Sequence, residues 1–307
     1  MRTGTGVLPK WTGWGKKFNT TYKAKIEIEG KIDQVEIDPS NRLADVNRVN
    51  NSWKRNVDFE FDSYVSNYPD IQDYEIKWRP DVWYNEIDGL KAGLHFDGNY
   101  MNYKHQFHFT GWYNSGVLEQ FDEETSIVND PERFPVNFNA WYKTPLNCID
   151  HDLFIDVGGK ILDGLYQGHL GFDKAFSDQD KVTLEFRTSI RPNQEDLDYP
   201  LYPNQWNTDQ WNNVVNLTYN HQYEYINGSG NIELGLQNSA LGSDYNYSRL
   251  NLTVINDNRL DQLEISTRTH FEYTMGTSIA PESQLMLAGA RSEALMESKF
   301  TRARGFF

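Results

Sequence analysis

Seven histidines, His95, His105, His108, His151, His169, His221 and His270, are the side chains of this 307-residue chain best suited to metal or proton chemistry. A helical zinc-peptidase site needs two histidines four apart with a glutamate beside the first. The chain has no His-Glu pair and no two histidines at that spacing. His95 and His270 instead occupy polar positions of alternating segments. His105 and His108, three apart in another such segment, project from opposite sides of it. No metal site is expected from these residues. Carboxylates cluster at Asp122, Glu123, Glu124 and Asp130, and again at Glu195, Asp196 and Asp198. Paired carboxylates do acid–base work when burial drives their proton affinities apart. Stretches this polar keep them solvated. No Gly-x-Ser-x-Gly elbow, phosphate loop or dinucleotide fingerprint occurs. The expectation is no catalytic centre and no cofactor within the chain.

The elements that carry these side chains are strands. Leu90, Ala92, Leu94 and Phe96 alternate with Lys91, Gly93, His95 and Asp97. Val182, Leu184, Phe186, Thr188 and Ile190 alternate with Thr183, Glu185, Arg187, Ser189 and Arg191. Leu263 to Tyr273 repeats the pattern. Successive strand side chains point to opposite faces, so period two gives one apolar and one polar face. About eleven strands are expected, near 74–87, 89–100, 104–115, 135–143, 151–161, 164–176, 180–191, 211–226, 229–239, 246–256 and 260–274. Asp88-Gly89, Asp163-Gly164 and Asn227-Gly228 mark tight hairpins between them. Most are longer than the usual five or six residues of soluble sheets.

The connections sort by parity. Those near 100–104, 146–151, 176–180, 226–229 and 256–259 are short. The alternate set holds every long one, 116–134, 192–210 and the stretch after 275. In an antiparallel meander the two sets lie on opposite sides, and short turns opposite long loops is the arrangement of outer-membrane barrels. The chain holds 9 Trp, 18 Tyr and 17 Phe, many near strand ends, where interfacial girdles form. A formal net charge of −15 argues against a nucleic-acid surface. A single cysteine, Cys148, rules out an intrachain disulfide framework and a cysteine-based zinc cage. No run of 18 apolar residues suggests a transmembrane helix, a test that strands escape. Met1 to Trp14 lacks the apolar core of a signal peptide, so the chain is read as unexported or as part of a longer one.

Two stretches bear a family likeness. Arg79 to Tyr113 resembles the opening hairpins of the bacterial surface-antigen barrel superfamily, through Asn85, Asp88, Gly89 and Gly93. Leu287-Ala288-Gly289-Ala290 with Ala303-Arg304-Gly305-Phe306 resembles that superfamily's long sixth loop and its Arg-Gly-Phe tip. The resemblance implies that Arg304, Gly305 and Phe306 form a lid following strand eleven of a sixteen-stranded barrel. The lid would fold into the lumen, with Arg304 on acidic residues such as Glu185, Glu233, Glu264 or Glu272. The alternative is an exposed terminal arginine. Residues 26–52, with Ile26-x-Ile28-x-Gly30, Val35-Glu36-Ile37-Asp38-Pro39 and Leu43-Ala44-Asp45-Val46-Asn47, resemble the end of Bacteroidota-type gluzincin aminopeptidase-like metallopeptidases. That likeness implies a peptidase domain, with any zinc, upstream of Met1, and remaining barrel strands beyond Phe307.

The expected protein is all-β. Residues 1–55 form a small periplasmic β unit with a hairpin at Gly30. Residues 56–307 form an antiparallel up-and-down transmembrane barrel segment, an open curved sheet with free edges at its first and eleventh strands. Its expected partners are outer-membrane lipid of a Gram-negative cell and the upstream domain, and its role is an anchor or pore. The competing reading is a soluble all-β carbohydrate-binding module. In that case the apolar faces of two layers would meet; in a membrane barrel they all point outward.

Overall fold

A computed structural model describes residues 27–284 apart from 43, 44, 46, 55, 64–68, 86, 119–134, 195, 196, 198–203, 205, 261 and 262. The chain divides into two units, Met1–Asn56 and Val57–Phe307. In the first, one antiparallel bridge joins Glu36 to Ser52, beside a 3₁₀ turn at Arg48–Asn50. The backbone of Gly30 is left-handed (φ 111°), as a turn requires, but no ladder extends from it among the described residues. The first arm of the expected hairpin lies largely outside them. The second arm bridges to Ser52 instead.

The second unit is one twelve-stranded sheet in strict sequence order, and it is not closed. Its strands are β1 (Val57–Phe61), β2 (Tyr74–Asn85), β3 (Gly89–Tyr100), β4 (Lys104–Asn114), β5 (Val136–Pro145), β6 (Leu153–Leu162), β7 (Leu165–Ala175), β8 (Asp180–Ile190), β9 (Asn212–Tyr225), β10 (Gly228–Ser239), β11 (Asn246–Leu260) and β12 (Leu263–Ser278). From β2 to β12 every pairing is antiparallel, and these eleven strands overlay the eleven expected from the alternation. The edge expectation needs correcting. β1 pairs in parallel with Tyr74–Trp78, so the first edge strand is β1, not β2. Phe59 stacks on Trp78 and Phe61 meets it edge to face, with centroids 6.2 and 5.4 Å away, contacts that fix this short strand. The other edge is β12.

On one side of the meander every connection is short: β3–β4, β5–β6, β7–β8, β9–β10 and β11–β12. The other, long-loop side takes both long connections, β4–β5 and β8–β9, together with the short turns β2–β3, β6–β7 and β10–β11.

Cross-strand register sorts the side chains cleanly. Lys77, Asp97, His108 and Trp141 follow one another across β2 to β5 on one face. Lys160, Gln167, Ser189 and Asn212 continue that face across β6 to β9. Asn216, Gln237 and Arg249 carry it on into β11. This polar face is the buried one: Lys91 is 0% exposed, His95 2% and Thr110 2%. The apolar face is open, with Leu94 47%, Leu184 46% and Phe271 54% exposed.

Burial on one side of a single layer requires the sheet to curl toward that side. Lys91 on β3 lies 2.9 Å from Asp163 in the β6–β7 turn. In a flat sheet those strands stand roughly 14 Å apart, beyond the combined reach of the two side chains. Two small clusters of buried apolar residues sit on the polar face at the long-loop end, Trp83–Trp112–Leu162 and Val214–Tyr245–Tyr247–Ala280.

Candidate functional site

The polar face carries three assemblies. The first sits at the long-loop end. Lys91 reaches Asp88 at 2.5 Å and Asp163 at 2.9 Å, and all three side chains are buried. Asn137 donates to Asp163 as well (3.3 Å). The Lys91 ammonium lies 4.6 Å from the Trp83 ring centroid, a cation–π contact. Arg191 donates to the Asp163 carbonyl (2.8 Å) and stands over Trp206. Of the residues expected to mark the opening hairpin, Asp88 and Gly89 form the turn into β3, Gly89 in a left-handed backbone (φ 67°). Asn85 ends β2 opposite Gly89. Gly93 does something different. A Cβ there would stand 2.3 Å from the Gly111 carbonyl and 2.6 Å from Trp112, so only glycine lets the Trp112 indole lie across the inner face.

The second assembly is the chain leaving β12. Ile279 to Gln284 turns onto the polar face. Ala280 and Ser283 are fully buried, with Ala280 packed among Val214, Tyr245 and Tyr247. The Tyr247 hydroxyl contacts Ser283 Oγ (2.8 Å), and Arg249 donates to the Ser283 carbonyl (3.0 Å). Asn212 donates to Glu282 (2.8 Å). Burial pushes the Tyr245 hydroxyl above its ordinary proton affinity. Arg304, Gly305 and Phe306 lie outside the described residues, as do the acidic clusters at 122–130 and 195–198. Of the acidic residues named as partners for Arg304, Glu185 accepts from Asn216 (3.0 Å). Glu272 lies 3.9 Å from Arg249 and 3.6 Å from His270. Glu264 faces Arg259 at 3.8 Å, and Glu233 stands between Asn220 and Thr253.

The third assembly is a His–Asp–His group on the β3–β4 hairpin. His95 Nε2 is 2.5 Å from Asp97 Oδ2, and His108 Nδ1 is 2.9 Å from Asp97 Oδ1. Thr110 Oγ1 is 2.7 Å from His95 Nδ1 and 3.2 Å from His108 Nε2. Arg79, held by Asp62 at 2.5 Å, stands 3.7 Å from Asp97. The two imidazoles meet edge to face at 4.4 Å. His105 points the other way, to the Tyr142 hydroxyl at 2.7 Å, as its spacing from His108 predicts.

No metal site was expected from the histidine spacing, yet these ring nitrogens and carboxylate oxygens all lie within 4.8 Å of one another. Helical spacing was the wrong test, because the ligands here converge from two paired strands. His95 and Asp97, two apart and so on one face, were the available signal. Of the other histidines on the polar face, His169 meets Asp156 (2.6 Å), and His270 meets Thr253 (2.9 Å) and Glu272 (3.6 Å).

No family model matches the chain, and no curated protein matches it. The site is therefore read from its own geometry. Thr110, His95 and Asp97 bond in the order hydroxyl–imidazole–carboxylate, but the Thr110 hydroxyl is buried, at 2% exposure, and faces the second imidazole rather than open space. The inner face is instead a charged, hydrogen-bonded lining that a chain segment enters from the long-loop end.

Proposed function

We propose that residues 57–307 form wall strands of an outer-membrane β-barrel, serving as an anchor with a polar lumen. The observation that carries the reading is the inverted burial: charged side chains are enclosed while Leu94, Leu184 and Phe271 face outward. Soluble monomers seldom expose contiguous apolar patches above a few hundred Å². Lipid accepts such a surface, and a lumen accepts the polar one. Strand length agrees, since β2 to β12 run 10 to 16 residues and about nine to eleven tilted residues cross a bilayer. Exposed Tyr84, Tyr113 and Trp211 at the long-loop rim, and Tyr103 and Tyr225 at the turn rim, fit headgroup depth.

Unpaired backbone groups at a sheet edge cost several kcal/mol each in hydrocarbon. The edges at β1 and β12 therefore need further strands to complete a closed barrel. Because β1 and β2 begin on the short-turn side, the polypeptide enters the sheet from the periplasm. The segment Ile279–Gln284 on the inner face is the root of a lid, the role that Arg304, Gly305 and Phe306 would complete. The aminopeptidase-like parent rests on the likeness of residues 26–52 alone, and any zinc-dependent hydrolysis belongs to residues outside this chain.

Fractionation of cells making the intact polypeptide tests the reading. The product should appear in the outer membrane and should migrate faster on a denaturing gel when left unheated. Recovery in the soluble fraction, with mobility indifferent to heating, would favour a soluble binding module instead.

A further inference from the structure

The His95, Asp97, His108 and Thr110 group is one hydrogen short of closing. Four contacts join its members, and each needs one hydrogen between its heavy atoms. Two neutral imidazoles bring one hydrogen each, the Thr110 hydroxyl brings one, and an ionised Asp97 brings none. Three hydrogens cannot fill four contacts, so the group has room for one more unit of positive charge. A metal ion on the Asp97 side removes the shortfall at both imidazoles. The His95 Nε2 and His108 Nδ1 lone pairs and one Asp97 oxygen turn to the ion. The opposite ring nitrogens, His95 Nδ1 and His108 Nε2, then both carry hydrogen, and Thr110 Oγ1 accepts both with its two lone pairs. A hydrogen-bonded partner on the far nitrogen is what orients metal-bound histidines elsewhere.

We propose that His95, Asp97 and His108 bind a divalent transition-metal ion of the zinc class, with Thr110 as the positioning residue. Two imidazoles and a carboxylate suit zinc, cobalt or nickel, whereas calcium and magnesium take oxygen ligands. The ligand atoms now 2.5 and 2.9 Å apart open to about 3.3 Å in a tetrahedral shell. A cavity of about 290 Å³ lined by Asp97, Lys77, Gln106 and Trp141 gives the ion a route and room for a water ligand. Arg79 keeps its own carboxylate on Asp62, so its charge is balanced when Asp97 turns to the ion. The site lies within one hairpin and does not depend on what meets the apolar face.

Cobalt(II) titration of the intact chain, stripped with chelator in detergent, tests the site. One equivalent should bind, with visible d–d absorption that zinc displaces. Asp97→Asn and His108→Gln should weaken binding at least about 100-fold, and Thr110→Val about 10- to 100-fold, the range for outer-shell partners. His151→Gln, in an exposed turn, should change nothing. Circular dichroism checks that each variant folds. A readout on the unmodified chain stands beside these: one equivalent of zinc should protect His108, but not His151, from diethyl pyrocarbonate. No cobalt absorption in the unmodified chain, unweakened binding in folded Asp97→Asn or His108→Gln, or zinc that leaves His108 as reactive as before would overturn the proposal.

Discussion

Arginine at Leu217 is expected to destabilise the inserted protein by about 2–4 kcal/mol, the range for a cation on the lipid face at mid-bilayer. Arginine at the adjacent Asn216 is expected to change stability by less than about 1 kcal/mol. The two residues are neighbours near the middle of β9, and their side chains point to opposite faces. Leu217 opposes Leu184 on the exposed apolar face, and Asn216 opposes Glu185 on the polar face. An arginine at 216 gains a carboxylate where Asn216 now donates to Glu185. In a water-soluble sheet the order would reverse. A half-exposed leucine replaced there costs within about 0.5 kcal/mol, and a cation forced into the enclosed side costs more. Urea unfolding of the two variants in lipid vesicles separates these outcomes.

Lys91 supplies the second large effect. Replacing it with methionine leaves Asp88 and Asp163 enclosed without their shared cation. Removing one partner of a buried ion group costs about 3–5 kcal/mol. The loss should appear as greater urea sensitivity of the whole sheet, because the contact ties the β2–β3 turn to the β6–β7 turn across three strands. Removing all the charge together, as Lys91→Met with Asp88→Asn and Asp163→Asn, should recover a large part of it. If Lys91→Met unfolds at the same urea concentration as the unmodified chain, the lysine does not hold the curl of the sheet.

The sequence made the strands plain because period two is a local signal. Each of the eleven longer strands declares its phase within its own residues. β1 escaped because Val57–Phe61 is five residues long and pairs in parallel, through contacts on Trp78 that the alternation does not encode. The Lys91–Asp163 tie escaped for a different reason. In the sequence Lys91 is a polar strand position and Asp163 a turn residue, and only the curl of the sheet brings them together.

The His–Asp–His group depends on a finer detail. Tyr100 opposes Lys104, but by Gly98 the register has shifted so that Asp97 opposes His108. Without that one-residue bulge Asp97 would face Phe107, and the remainder of β4 would present its apolar side inward. His105 absorbs the extra residue with a left-handed backbone (φ 49°). Phe107 and Phe109 on the face shared with Phe96 are the sequence's reason for the slip. A hairpin drawn from its turn alone would miss it.

What the apolar face touches is the central question, and site-directed spin labelling along β8 answers it most directly. Cys148 is exposed in a turn and can be replaced, leaving single cysteines to be placed at positions 182 to 190. In lipid vesicles, labels at Val182, Leu184, Phe186 and Thr188 should collide readily with oxygen and poorly with a water-soluble nickel chelate. Labels at Thr183, Glu185, Arg187 and Ser189 should show the opposite, with a period of two. Equal chelate access on both faces, or no alternation along the strand, would contradict a lipid-facing sheet.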